Sequence, residues 1–253
     1  MITKISELEK YISAARGKPY YDYLVALGNT EDIRNKEAYR LYLWNIQISS
    51  AFLEVIALYE IALRNAIISA LEANYKAYSI LNDNFIRALK PLARDELLRA
   101  VNTVVKERTL TNNPFNYNEY EIIIGNDNRV LPLRIDTNVV SPGKVVAELR
   151  FVFWENMLAK THRARWINQY NRGFTNIPST QHDSIITDIH SITEDIRLLR
   201  NRICHHEPIF DGRKINLAHQ YSQLKKVLDY ISPELLEVVD DFSRINELLS
   251  NKP

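Results

Sequence analysis

The stretch from Glu31 to Tyr75 contains neither proline nor glycine, and this feature most constrains the fold of the chain. Apolar residues recur through it with a period near 3.6, which is the repeat of an α-helix. Between Ala51 and Ala70 the pattern is apolar almost all round, which is typical of a helix buried in a core. The sequence therefore predicts one long central helix with Thr30 as its cap, and with residues 33–37 as the place where it could break.

Helical periodicity in most of the remaining sequence predicts an all-α fold. Only six glycines occur in the chain, which argues against a sheet-and-turn architecture and against a glycine-rich phosphate loop. Further helices are predicted over 6–15 with Gly17 as the stop, from Pro19 to Gly28, over 82–108 with a bend at Pro91, and over 141–160, 163–170, 181–206, 216–230 and 233–249.

Residues 111–140 depart from the helical pattern. Two β-leaning runs, Tyr-Glu-Ile-Ile-Ile and Arg-Val-Leu-Pro-Leu-Arg-Ile, flank the turn-rich tetrapeptide Gly-Asn-Asp-Asn. We therefore expect a small β-hairpin or ordered loop, inserted into a single helical domain that spans residues 1–253.

Composition excludes several classes of function. The formal net charge of +1 gives no global argument for nucleic acid, so any RNA-binding surface must be local. A single cysteine, Cys204, excludes an intrachain disulfide and a thiolate-rich zinc site, and the six histidines are mostly scattered. We expect no metal and no cofactor. A charged N-terminal segment and the lack of a span-length apolar run predict a soluble cytoplasmic protein that does not contact a membrane.

The candidate site lies in the segment Arg-Asn-Arg-Ile-Cys-His-His-Glu-Pro, residues 200–208. Pro208 disfavours helix at the residue before it, so His205 and His206 are expected in the last helical turn. The negative end of the helix dipole stabilises an imidazolium there. This placement suits a group that must both take and give a proton near neutral pH.

A helical wheel gives this helix two faces. Asn201 and His205 lie nearly opposite the apolar stripe, and Arg200 lies on its flank. The expected core stripe is Ile185, Ile189, Ile192, Ile196, Leu199 and Ile203. Two such helices in a homodimer would bring two arginines and two histidines into one cleft, where arginine holds a phosphate and imidazole acts on a ribose hydroxyl. In the structural alternative, the histidines cap the helix and Arg200 forms a surface ion pair.

Two further groups of charged residues each allow two interpretations. Glu60 and Arg64 are four apart in an apolar helix, and they either fix helix register or position Arg200 or His205. The segment 160–172 interleaves basic and aromatic residues. It is either an RNA-binding patch or a solvated face with its tryptophan turned inward. The predicted RNA-binding residues are Lys160, Arg163, Arg165, Trp166 and Arg202.

The segment Leu-Arg-Asn-Arg-Ile-Cys-His-His-Glu-Pro-Ile-Phe, residues 199–210, resembles the C-terminal signature of Abi-like (abortive infection) bacterial proteins. These proteins belong to the HEPN superfamily, whose hallmark is an arginine, a polar residue and, after four to six residues, a histidine. Arg200, Asn201 and His205 match that pattern, and His206 offers a second register. Cys204 stands where a small residue such as alanine is expected, and the 111–140 segment is longer than a minimal connection.

Two upstream blocks resemble the same family. Leu-Tyr-Leu-Trp-Asn, residues 41–45, leads into Tyr-Glu-Ile-Ala-Leu-Arg-Asn-Ala, residues 59–66, which is similar to the family's Glu-x-x-x-Arg-Asn helix and makes Glu60, Arg64 and Asn65 accessory candidates. Residues 142–154 resemble its Val-Val-Ala-Glu-Leu-x-Phe-x-Phe-Trp block. The matches run in order over residues 39–210.

The resemblance implies an all-α, HEPN-like helical bundle that dimerises and cleaves RNA without metal, with Arg200, Asn201 and His205 as catalytic residues. It implies a role in phage defence or in a toxin–antitoxin system, in which a protein or RNA antitoxin would be a partner. Some members of the superfamily are not catalytic. The alternatives are therefore a non-catalytic RNA- or protein-binding module of the same fold, and a regulatory subunit that only docks to another component.

Overall fold

In a computed structural model, which describes residues 4–109 and 140–253, every regular element is a helix, and this confirms the all-α class. The protein is an all-α helical bundle. Its α-helices are α1 (Ile5–Ile12), α2 (Ala14–Ala26), α3 (Glu31–Tyr75), α4 (Asp83–Ala88), α5 (Pro91–Thr109), α6 (Pro142–Glu148), α7 (Phe151–Leu158), α8 (Lys160–Arg163), α9 (His182–Cys204), α10 (Leu217–Ile231), α11 (Glu234–Phe242) and α12 (Ile245–Ser250). Short 3₁₀ helices cover Ser79–Leu81 and Ile167–Arg172.

Helix α3 confirms the long central helix with the predicted ends, and it runs without a break at residues 33–37. Phe52, Tyr59 and Leu63 on it are completely buried. Among the described residues, Ile33–Tyr75 is the helix long and apolar enough to cross a membrane, with a mean hydropathy of 1.6 in the relevant window. Of the residues in that window, 44% are buried inside the protein.

The chain forms two compact units, and the first comprises Met1–Tyr59, Asp195–Asp229 and Glu234–Pro253. Its α1–α2 pair corrects the expected stop at Gly17, because this glycine lies inside α2 and is buried. A β-carbon at Gly17 would meet the Glu9 carboxylate at 3.0 Å, so glycine permits the close approach of α1. Pro19 likewise lies within α2 and does not open it.

The second unit comprises Glu60–Glu194 and Tyr230–Pro233. At Gly173 a β-carbon would overlap the carbonyl oxygen of Ala66, so this glycine brings the segment after α8 against the backbone of α3. The expected 141–160 helix is interrupted in this unit. Leu149 and Arg150 are extended and separate α6 from α7, although neither proline nor glycine marks the break.

Several other helix ends differ from the predictions. Pro91 begins α5 and does not bend a longer helix, because α4 has already ended at Ala88. The last predicted helix is divided into α11 and α12. The predicted hairpin within 111–140 lies outside the described residues, apart from Val140, and the single-domain organisation stays a prediction.

Candidate functional site

Helix α9 has the two faces that the sequence predicts. The stripe of Ile185, Ile189, Ile192, Ile196, Leu199 and Ile203 is buried, which confirms the core face. On the other side His205 is exposed, Asn201 is half-buried, and Leu198 is 49% exposed. Arg200 is half-buried on the flank. The motif side chains therefore leave the main packing face of the helix, as the wheel predicts.

Helix α9 ends two residues earlier than predicted. The helix ends at Cys204, and His206 has left it with a left-handed φ of 55°. The amide of His206 donates to the carbonyl of Ile203, and the amide of Glu207 donates to the carbonyl of Arg202, both at 2.9 Å. This pair of hydrogen bonds is a Schellman ending. Only His205 continues the last turn, since its amide still donates to the carbonyl of Asn201 at 2.9 Å.

Arg16 of α2 reaches the end of α9 from 189 residues earlier in the chain. Its Nη1 donates to the carbonyl of His206 at 2.8 Å and to that of His205 at 3.2 Å. These carbonyls lie where a helix leaves its acceptors unsatisfied, and a cation is favourable there. Sequence reasoning missed this contact, because an isolated arginine near the N-terminus gives no signal of its partner.

The segment after the motif is held by distant residues. The buried side chain of Asn45 accepts a hydrogen bond from the amide of Ile209 at 2.8 Å. Phe210 packs against Tyr20, with ring centroids 4.7 Å apart. Lys252 donates to the carbonyl of Phe210 at 2.8 Å. The backbone that leaves the candidate site is therefore fixed by α2, α3 and the C-terminus.

Two clefts lie beside this segment. The first, which we term the basic cleft, has a volume of about 460 Å³. Its walls include Lys18, Asp22 and Tyr23 of α2, Arg202 of α9, and Phe210, Asp211, Arg213 and Lys214. The second, which we term the tyrosine cleft, has a volume of about 510 Å³ and includes Arg16, Tyr20, Tyr42 and His206. The walls of neither cleft include Arg200, Asn201 or His205.

The electrostatics of both clefts follow from their contacts. Arg213 holds Asp211 through two parallel hydrogen bonds of 2.9 Å, and these bonds lower the pKa of the Asp211 carboxyl and raise that of the guanidinium. In the tyrosine cleft, burial raises the pKa of the Tyr20 hydroxyl, and the neighbouring Tyr42 raises it further. The Asp211 carboxylate and the Tyr20 hydroxyl therefore each keep one charge state near neutral pH.

The predicted accessory residues lie in the second unit, on α3. Glu60 and Arg64 are half-buried, and Asn65 is exposed. Arg64 donates through Nη1 to the carbonyl of Val146 on α6, at 3.5 Å. This contact links the Glu-x-x-x-Arg-Asn block to the 142–154 block within the unit. The role of the three residues toward the motif stays a prediction.

Within the predicted RNA-binding patch, Trp166 takes the alternative, inward orientation. Trp166 is completely buried, stacks on Phe174 with centroids 5.7 Å apart, and donates to the carbonyl of Met157 at 2.9 Å, so it offers no face to a base. Arg163 is also buried and pairs with Asp183 at 3.1 Å. Lys160 is exposed, whereas Arg165 is half-buried and donates to the carbonyl of Thr161 at 2.6 Å. Arg202 is half-buried, in the first unit.

Potential metal ligands are dispersed in the described ranges. No group of three or more His, Cys, Asp or Glu side chains there is placed to hold a metal ion. Cys204 is a free, exposed thiol.

A comparison with protein families places these features in one known group. The model for "Abi-like protein" matches residues 8–211, which cover most of the chain and include Arg16, the motif and Phe210. No curated protein and no solved structure matches the chain. Because the match spans well over half of the sequence, the chain belongs to the Abi-like protein family.

Proposed function

We propose that this Abi-like protein is a metal-independent endoribonuclease of an abortive-infection, phage-defence or toxin–antitoxin system. It would act in the cytoplasm as a homodimer, with Arg200, Asn201 and His205 at the cleavage site. The observation that carries the proposal is the exposed His205 at the end of α9, one turn after Asn201 and away from the core stripe. An imidazole kept out of the core at a polar helix end can exchange protons with a substrate.

The proposed reaction is an attack within the RNA strand. The ribose 2′-oxygen forms a bond to the adjacent phosphorus, and the bond from phosphorus to the 5′-oxygen breaks. One His205 takes the proton of the 2′-hydroxyl, and His205 of the other subunit gives a proton to the leaving 5′-oxygen. Arg200 stabilises the charge on the phosphorane oxygens, and Asn201 orients the histidine or the phosphate. The products are a 2′,3′-cyclic phosphate and a 5′-hydroxyl.

The exposed face of α9 supports the homodimer. Leu198 lies three residues before Asn201 and seven before His205, so the three side chains share one side of the helix. In a homodimer paired through this side of α9, Leu198, which is 49% exposed in one chain, would be covered by the partner subunit. Pairing of two such faces would bring both copies of His205 to one cleft.

A second candidate is a non-catalytic module of the same fold that binds RNA or a protein partner. It is favoured by the clefts, because their walls contain Arg202 and His206 but none of the three proposed catalytic residues. A regulatory subunit that docks to another component, such as an antitoxin, would use the same surfaces without cleaving RNA.

The test is RNA cleavage by purified protein in the presence of a chelator. We expect wild type to leave 2′,3′-cyclic phosphate ends, His205→Ala to lose about 100-fold or more of the rate, and Arg200→Ala to lose a comparable factor. His219→Ala and Arg40→Ala are the matched controls, since both side chains are exposed on other helices of the first unit. They should cleave like wild type.

Other outcomes discriminate between the candidates. RNA binding without cleavage, both in vitro and in infected cells where a trigger would be present, would replace the first candidate with the second. No RNA binding would favour the regulatory subunit. A strictly monomeric solution mass would refute the cleft with two histidines.

A further inference from the structure

The basic cleft adjoins the proposed cleavage site through α9. Arg202, which forms part of its wall, lies three residues before His205, and the His205 amide continues the last turn of α9, so the two side chains are neighbours at the helix end. A volume of about 460 Å³ falls in the range of roughly 300–1,000 Å³ that is typical of ligand sites. A strand bound at His205 would therefore reach this cleft within one or two nucleotides.

The charges in the cleft leave an excess of cations. Lys18 pairs with Asp22 through both carboxylate oxygens, at 2.9 and 2.8 Å, and Arg213 pairs with Asp211. Among the described residues Lys214 has no ion pair, and Nη2 of Arg202 lies 3.5 Å from the Glu207 carboxylate and 3.3 Å from the carbonyl of Pro208. The chain as a whole carries a formal charge of +1, so this concentration of positive charge is local.

Arg213 adds a flat surface to the charge. Its guanidinium is held at one edge by Asp211, and its Cζ lies 5.1 Å from the ring centroid of Tyr23. The side chain is nevertheless 63% exposed. A guanidinium fixed in this way presents its outer plane to solvent, and such planes stack on the bases of single-stranded RNA.

We propose that the basic cleft binds single-stranded RNA next to the scissile phosphate, with Arg202 and Lys214 on backbone phosphates and Arg213 stacked on a base. The choice of RNA as the ligand rests on the proposed ribonuclease function. Single-stranded RNA presents both phosphates and flat bases. An acidic protein segment would satisfy the charges but would leave the plane of Arg213 over Tyr23 unused.

The first test measures binding of a short, fluorescently labelled 2′-O-methyl oligoadenylate by anisotropy at several salt concentrations. This probe lacks the attacking hydroxyl, so cleavage does not interfere. Lys214→Ala should bind more weakly, and its plot of log affinity against log salt should be shallower by about 0.7, the contribution of one phosphate contact on a single strand. Lys36→Ala, an exposed lysine of α3 outside the cleft, should match wild type.

The second test separates stacking from charge. Arg213→Lys keeps the charge but removes the plane, so affinity for the oligoadenylate should fall about fivefold or more, which corresponds to the loss of about 1 kcal/mol from one stacked base. Affinity for inorganic polyphosphate, which has no bases, should stay unchanged. Thermal unfolding of each variant shows whether the fold is retained.

Failure of this inference is distinguishable from failure of the proposed function. If Lys214→Ala and Lys36→Ala weaken binding equally, or Arg213→Lys affects both probes alike, the cleft does not bind RNA in this way, even if His205 proves catalytic. The same holds if an acidic peptide binds in the cleft and the oligoadenylate does not bind there. If His205→Ala still cleaves RNA, the proposed catalytic role is lost, while selective loss of binding in the cleft variants would still support the cleft.

Discussion

Two arginine–aspartate pairs in this protein are near opposites in exposure. The Arg163 side chain of α8 is 8% exposed, and its partner Asp183 of α9 is 70% exposed. In the basic cleft, Arg213 is 63% exposed and Asp211 is 11% exposed. The first pair therefore offers solvent its acid, and the second offers its guanidinium. Only the second arrangement can present a cation to phosphate, so the density of basic residues in a sequence does not by itself locate a nucleic-acid surface.

The largest expected effect is on the free energy of unfolding, and measuring it tests whether the segment after α8 has a structural role. Trp166→Ala should destabilise the protein by about 3–5 kcal/mol, because it empties a buried site, removes the stack on Phe174 and leaves the Met157 carbonyl without its donor. Urea-induced unfolding measures this, with Leu92→Ala as the control at a position that is 85% exposed. Full stability of Trp166→Ala together with weaker RNA binding would restore the base-stacking role.

The next largest effect comes from removing the arginine of each arginine–aspartate pair and comparing the loss of stability. Arg163→Ala should cost about 2 kcal/mol, because it removes a buried charged donor from Thr187 and from Asp183. Arg213→Ala should leave stability nearly unchanged, because its exposed pair is screened by water. The order should be reversed for affinity toward single-stranded RNA. Equal costs in stability would contradict the distinction.

The smallest effect at neutral pH concerns His162, beside Arg163 in α8. Burial, together with the charges of Arg165 and Lys90, lowers the pKa of its imidazole from 6.5 to about 4. The unfolded chain therefore binds more protons between these values, so stability is fully present above pH 6.5 and declines as pH falls toward 4. His162→Gln should make unfolding less dependent on pH in this window, whereas His190→Gln should keep the wild-type dependence. An unchanged slope in His162→Gln would refute a buried, neutral His162.

The sequence predicts helices well where proline, glycine or apolar periodicity signals them locally. The long stretch without proline or glycine gives α3, and the apolar repeat of α9 gives its buried face. These local signals fail where tertiary contacts determine the helix boundaries. Gly17 and Pro19 suggest boundaries but lie within α2, and the break at Leu149 and Arg150 has no breaker residue.

The candidate site likewise has features that the sequence predicts and features that depend on tertiary contacts. The motif occupies consecutive turns of one helix, so periodicity can place Asn201 and His205. The contact of Arg16 with the end of α9 joins residues 189 and 190 positions apart. The basic cleft likewise combines α2 with the segment after Pro208. Composition also could not show that Trp166 is buried, since an interleaved basic and aromatic pattern is compatible with either orientation.

The left-handed backbone of His206 changes how the two histidines of the motif can be compared. At this position any residue with a β-carbon keeps the strain, so alanine removes the imidazole but leaves the backbone penalty in place. Glycine removes both, because it adopts positive φ freely. His206→Gly should therefore be the more robustly folded protein, and any activity that it loses can be ascribed to the missing ring. His205, in the right-handed turn before it, is better replaced by alanine, and the pair of unlike substitutions distinguishes the two registers without confusing chemistry with folding.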